Sequence, residues 1–165
     1  MPRTPQDLAL LLQQTVDAEL PHLKALPESA AVVRPAGSDT WSPKEELGHL
    51  IDSAANNHIR FVRGALETEF RGAPYAQNAW VNMHDYQGLP WNTIVDFWHQ
   101  YNTLLARLVS HIPEAQMDTQ CFIGSSAPVT LRFVIEDYVL HLRHHIDRLL
   151  KRRNITAYPG AAATI

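Results

Sequence analysis

The chain of 165 residues has a single cysteine, Cys121, so no internal disulfide can form and a reducing cytoplasm is the expected setting. No motif near Cys121 would activate its thiol, and it reads as a small core side chain rather than a nucleophile. Long apolar runs are also missing. The N-terminal Met1-Pro2-Arg3-Thr4-Pro5 leads only into the short run Leu8 to Leu12, which predicts neither a signal peptide nor a membrane span. Charge of one sign is not concentrated anywhere: the formal net charge is −3. Lys151, Arg152 and Arg153 fall at the end of a predicted helix, where cations oppose the helix dipole. No basic run interleaves with aromatics, which excludes a nucleic-acid surface of the usual kind. Neither an internal repeat nor a linker is visible. The expectation is one domain, with a core over about 4–153 and a tail over 154–165.

Apolar residues make up 45% of the chain, as in a globular protein, and histidine is abundant at nine residues. Thr4-Pro5-Gln6-Asp7 reads as a helix start, with Thr4 as cap and Pro5 at the first helical position. Leu8, Leu11, Leu12, Val16, Leu20 and Leu23 supply its buried face, and Pro21 is expected to kink or end it. Residues 27–40 read as a loop. Ser42-Pro43-Lys44-Glu45 is a capping box that opens a helix running to about Glu67. Residues 68–90, broken by Gly72, Pro74, Gly88 and Pro90, read as irregular with one short helix near Ala79 to Tyr86. A third long helix spans about Trp91 to Ile112. Its apolar residues Ile94, Phe97, Trp98, Tyr101, Leu104, Leu105, Leu108, Val109 and Ile112 recur at helical spacing and are expected on one buried face. Residues 117–130 suit a short β-hairpin. The last helix covers 130–153, and the tail from Ile155 reads as extended or loose. Four long amphipathic helices predict an all-α four-helix bundle, with the short hairpin before the last helix.

Chemistry concentrates on two of these helices. In the last one, His141 and His145 are four residues apart and share one edge of the apolar stripe formed by Leu131, Ile135, Tyr138, Leu142, Ile146 and Leu149. Such a pair can converge on a divalent metal, or it can be two hydrogen-bonded core histidines. His144 points elsewhere, toward Asp137 and Arg148. In the second long helix, Leu47, Ile51, Ala54, His58 and Phe61 form the apolar stripe. His49, Ser53, Asn56 and Arg60 run down nearly the opposite side, as a solvated face or as the wall of a cavity. Tyr75 and Trp80 either anchor their segment or line a pocket. His84, His99 and His111 read as surface residues.

Three stretches resemble one family. Trp41-Ser42 with the run from His49 to Phe61 is similar to the second helix of the DinB/YfiT-like bundles. Pro74-Tyr75 and Ala79-Trp80 resemble that family's connecting segment, and Tyr138 to Ile146 resembles its last helix. The resemblance spans Trp41 to about Leu149. It implies a four-helix bundle with a three-histidine site for a divalent metal, zinc or nickel by preference, held by His49, His141 and His145. His58 is the alternative first ligand. The family includes metal-dependent hydrolases, transferases that use bacillithiol or mycothiol as a low-molecular-weight thiol, and thiol-dependent isomerases; homodimers are common. Hydrolysis at such a metal needs a general base nearby, for which Asp52 or a residue of the 75–86 segment is the candidate. With His49 as ligand, Ser53, Asn56 and Arg60 face the cavity and, with Trp80, are candidate contacts for a small-molecule substrate or thiol cofactor. No nucleic-acid or membrane partner is implied. The same residues also suit a non-catalytic, metal- or ligand-binding dimeric bundle. Gly48 departs from the pattern, since a histidine can stand there in a relative.

Overall fold

The computed structural model describes residues 2–35 and 40–158. Parts of the expected loop (36–39) and of the expected tail (159–165) lie outside the described residues. Helix α1 spans Pro5–Ala25 and opens as expected: Thr4 Oγ1 accepts from Asp7 N–H at 3.1 Å, and the Asp7 carboxylate accepts from Thr4 N–H at 2.9 Å. It does not stop at Pro21. The turn beyond that proline is held by tertiary contacts: Leu23 is fully buried, and its carbonyl accepts from the Trp91 indole at 2.8 Å. One lost backbone bond at an exposed proline is outweighed by that docking.

The stretch expected to be a loop contains a single helical turn, α2 at Glu28–Ala31. The Glu28 carboxylate explains it, because it accepts from Trp91 N–H at 2.8 Å and pairs with Lys44. Helix α3, Pro43–Leu66, begins with the predicted reciprocal cap between Ser42 and Glu45. Strand β1 (Glu69–Gly72) and helix α4 (Gln77–His84) follow, then α5 (Trp91–Ser110), β2 (Gln120–Ile123), β3 (Val129–Thr130) and α6 (Leu131–Leu149). The four long helices α1, α3, α5 and α6 form the bundle. Among the described residues, no helix is long and apolar enough to cross a membrane.

The predicted hairpin exists, with Cys121 opposite Val129, and Gly124 at φ 61° occupies its turn without the penalty a side chain would incur. Strand β1 adds to it in parallel, Glu69 to Gly72 pairing with Gln120 to Ile123, so part of the segment expected to be irregular is a strand. That pairing joins residues some fifty positions apart, and no local pattern announces it.

Helix α3 is the centre of the molecule. From Pro43 to Ala54 every residue is buried, because α5, α6, α4 and α2 all pack around it. Its polar stripe is therefore enclosed and not a wet face. On α5 the buried arc is narrower than expected. Trp98, Leu105 and Val109 are fully enclosed, but Phe97 and Leu104 are 55% and 50% exposed, since α5 buries only the side turned toward α1 and α3.

Within the core, Tyr138 O–H donates to Asn102 Oδ1 at 2.5 Å, and Asn102 Nδ2 donates to the Trp98 carbonyl at 2.8 Å. Both side chains are buried, so Tyr138→Phe leaves the Asn102 oxygen without its donor. It is expected to cost about 1–3 kcal/mol in urea unfolding. A change within measurement error would show that the bond adds nothing net.

Candidate metal centre

Helices α3 and α6 face each other antiparallel, as the side-chain pairs show: Glu46 meets His145, while His49 and Ser53 meet His141. His49 and His145 are buried and His141 is partly buried. One ring nitrogen from each of the three lies within 4.8 Å of the others. The Nε2 atoms of His49 and His141 are 3.1 Å apart, close to the edge of a tetrahedron built on metal–nitrogen bonds of about 2.0–2.1 Å, which is roughly 3.3 Å. Burial drives the His49 pKa down to about 3, with the positive charges of His145 and Arg148 adding to it. Burial also holds His141 well below its ordinary value, helped by His145 and His49. These two rings are therefore neutral near pH 7, the form that ligates a metal.

His145 Nδ1 donates to Glu46 Oε1 at 2.6 Å, which fixes its ring and leaves Nε2 free. Such a carboxylate behind a histidine is the usual support for a metal ligand. His49 Nδ1 is buried and has no hydrogen-bond partner among the described residues. The Trp41 ring lies against His49 with centroids 4.8 Å apart, closing that side. Donor type, spacing, charge state and support all fit a divalent ion. The three rings sit at one end of a cavity of about 300 Å³ walled mainly by α3 and α6, with Tyr75, Ile123 and Tyr158 completing the lining.

A sequence model of the DinB superfamily matches residues 11–147. The chain belongs to the DinB superfamily. Among solved structures it is similar to YfiT from Bacillus subtilis, described as "a probable metal-dependent hydrolase with an unusual four-helix bundle topology". The match has a TM-score of 0.77 and 22% sequence identity, and covers 90% of this chain and 86% of that one. No curated protein matches the chain.

The DinB fold places the other expected site residues unevenly. Ser53 and Arg60 line the cavity, and Ser53 Oγ lies 3.5 Å from His141 Nδ1. Asn56 does not line it: its Nδ2 turns back to the Asp52 carbonyl at 2.9 Å. Asn57 takes that place on the wall, one residue further around the helix. Trp80 also stands outside the lining, edge-on to Tyr75 with centroids 5.3 Å apart, and Tyr75 is the residue that faces the cavity. Asp52, the candidate general base, is buried away from the lining. Its Oδ1 accepts from Tyr86 O–H at 2.7 Å and lies 3.0 Å from His84 Nδ1. Burial raises the Asp52 pKa, and Tyr86 and His84 oppose that rise. His84 thus meets Asp52 and not the cluster. His58 Nδ1 is 3.1 Å from Tyr101 O–H on α5, so it is not the third imidazole.

Three contributors were not anticipated in these positions. Glu46 could have been found, since it precedes His49 by three residues and so shares its face. Asn57 differs from the expected residue by one step around the helix. Tyr158 carries no signal, because it belongs to the stretch read as a loose tail. Part of that stretch is fastened: Thr156 N–H and O–H donate to Asp147 Oδ2 at 2.8 and 2.6 Å, and the Thr156 carbonyl lies 2.9 Å from His144 Nδ1. His144 therefore anchors the tail beside the cavity.

Proposed function

We propose that the cavity is the active site of a divalent-metal-dependent enzyme acting on a small molecule, with His49, His141 and His145 as ligands, and that transfer of a low-molecular-weight thiol suits it best. The observation that carries this reading is the convergence of three buried or half-buried imidazoles at one end of a cavity sized for a small ligand. A divalent ion bound there, zinc or nickel by donor type, supplies Lewis acidity that favours the deprotonated form of a thiol or of water.

The surrounding residues bear on which reaction follows. Hydrolysis calls for a base beside the attacking water. At the histidine end the lining carboxylate is Glu46, already engaged by His145, and Asp52 lies outside the lining. Thiol transfer needs no such base: the sulfur attacks an electrophilic carbon, the leaving group departs with its bonding electrons, and the thiol proton passes to water. Trp41 and Tyr75 flank His49 with centroids 4.8 and 6.5 Å away and give that end of the cavity an aromatic side. Arg60 offers a cation to an anionic group of the ligand. Hydrolysis is the second reading, supported by the description of YfiT.

The test is an S-alkylation assay with a small thiol and monobromobimane, run on metal-loaded protein and on His141→Ala. Acceleration by the first alone is expected. A protein that binds metal and thiol yet leaves the rate at its uncatalysed level would be a binding protein, and the enzymatic reading would fall.

Chelation is expected to lower the melting temperature while the helical circular dichroism at room temperature stays intact, because the bundle buries its core without the ion. The metal-free protein is further expected to weaken as pH falls below about 6.5. His49 stays neutral in the fold down to about pH 3, whereas the unfolded chain takes up its proton near its ordinary value, so acid favours unfolding. A homodimer is proposed as well, through the exposed Phe97 and Leu104 of α5. A monomer by light scattering at micromolar concentration would remove that proposal.

A further inference from the structure

The cavity has a different chemistry at the end away from the histidines. Along α3 its wall runs His49, Ser53, Asn57, Arg60, and along antiparallel α6 it runs His145, His141, Asp137. Arg60 follows His49 by eleven residues, about 16 Å of helix rise, and lines the cavity well beyond the histidine cluster. Arg60 is only 5% exposed. Its Nη1 reaches Asn57 Oδ1 at a long 3.4 Å, and its Nη2 is buried with no hydrogen-bond partner among the described residues. A guanidinium desolvated and left open in this way is unfavourable for the fold alone, and its free donors face a cavity.

Asp137 stands on the opposite wall. Burial raises the Asp137 pKa, and the Tyr158 hydroxyl and the Arg60 charge oppose that rise; the two charged groups form no salt bridge among the described residues. Asp137 Oδ2 accepts from Tyr158 O–H at 3.0 Å, and Oδ1 has no protein partner among the described residues. A ligand bearing only negative charge would satisfy Arg60 and be repelled by Asp137. A simple cation would meet the reverse. A group carrying both charges a few bonds apart satisfies both walls together.

We propose that this end of the cavity is a recognition subsite for a zwitterionic head group of the α-amino-acid kind, its carboxylate gripped by Arg60 and its ammonium held by Asp137. The planar fork of Arg60 matches a carboxylate, and the Tyr158 bond orients the Asp137 carboxylate that receives the ammonium. The remainder of the ligand then extends toward the three histidines. The subsite rests on reading the cavity as a ligand site, but it needs neither the metal nor a particular reaction.

The test uses three probes with one alkyl chain: L-norvaline, pentanoate, which lacks the ammonium, and butylamine, which lacks the carboxylate. Each is titrated by NMR into metal-loaded protein and into chelated protein, with thermal melts of every variant alongside. L-norvaline is expected to bind at least about tenfold more tightly than either of the others in both metal states. Arg60→Gln should bring it level with butylamine, and Asp137→Asn should bring it level with pentanoate. Equal binding of L-norvaline and pentanoate by the wild type would remove the ammonium site, and equal binding of L-norvaline and butylamine would remove the carboxylate site. Binding by none of the three, or binding of L-norvaline only when metal is present, would overturn the subsite. If the protein takes up no metal yet keeps the tenfold preference, the metal assignment fails and the subsite stands. Should Arg60→Gln not fold, the wild-type probe series and Asp137→Asn still decide the matter.

Discussion

His49→Ala, His141→Ala and His145→Ala should each reduce bound divalent metal from about one equivalent per chain to a trace, while His144→Ala retains it. The reason is geometric. The three rings bring a donor atom each within 4.8 Å of the others, and losing one leaves too few protein ligands to hold the ion against water. His144 lies beside His145 in sequence but spends its Nδ1 on the Thr156 carbonyl, at 2.9 Å. Glu46→Gln is expected to fall between these outcomes. It keeps an acceptor near His145 Nδ1 but removes the charge that makes the ring a better donor to metal, a loss of about 10–100-fold in affinity. Elemental analysis of untagged protein, with a competition titration for Glu46→Gln, measures all five. Full metal content in His49→Ala would refute the site, since no other imidazole stands near enough to replace that ring among the described residues.

Gly48→Ala should be among the most destabilising single-methyl additions in the chain. A Cβ at Gly48 would lie 2.2 Å from Cδ2 and 2.3 Å from Cγ of the Tyr86 ring, inside any real contact distance. The ring cannot easily swing away, because its hydroxyl donates to the buried Asp52 at 2.7 Å and the side chain is enclosed. Overpacking of this kind costs about 3 kcal/mol, and for a chain of this size each kcal/mol lowers the melting temperature by roughly 2–4 °C. In a double-mutant cycle, Tyr86→Ala should recover part of the loss, because it removes the atoms that the new methyl meets. A Gly48→Ala protein that melts with the wild type would mean that Tyr86 has another place to go. Gly48 is the position where the family resemblance showed a departure, and Tyr86 accounts for it: a histidine there has no room while that ring lies against the helix backbone.

Much of the molecule was legible without coordinates. The caps at Thr4 and Ser42, the prolines just after them and the 3.6-residue spacing of leucines are interactions within a few residues, so they mark where α1 and α3 begin. The four-residue step from His141 to His145 fixes two imidazoles on one face by helix geometry alone. The partner histidine is less local. Both His49 and His58 lie on α3, and only the resemblance to DinB-like bundles favoured His49; the antiparallel fit of α3 to α6 then separated them, sending His58 to Tyr101.

What the chain determined by itself was therefore its helices and their caps, the hairpin, the histidine pair and the outline of the bundle, because each depends on periodicity or on neighbours within about one turn. The tertiary structure alone decided that both faces of α3 are buried from Pro43 to Ala54, that Asn57 rather than Asn56 meets the cavity, that β1 joins β2 in parallel, and that Tyr158 completes the wall. Helix periodicity states which residues share a face, but it does not state what covers that face. That depends on contacts between segments far apart in sequence: a fifth or sixth packed element turns an apparently wet stripe into a cavity wall, and a rotation of one residue exchanges one asparagine for the next.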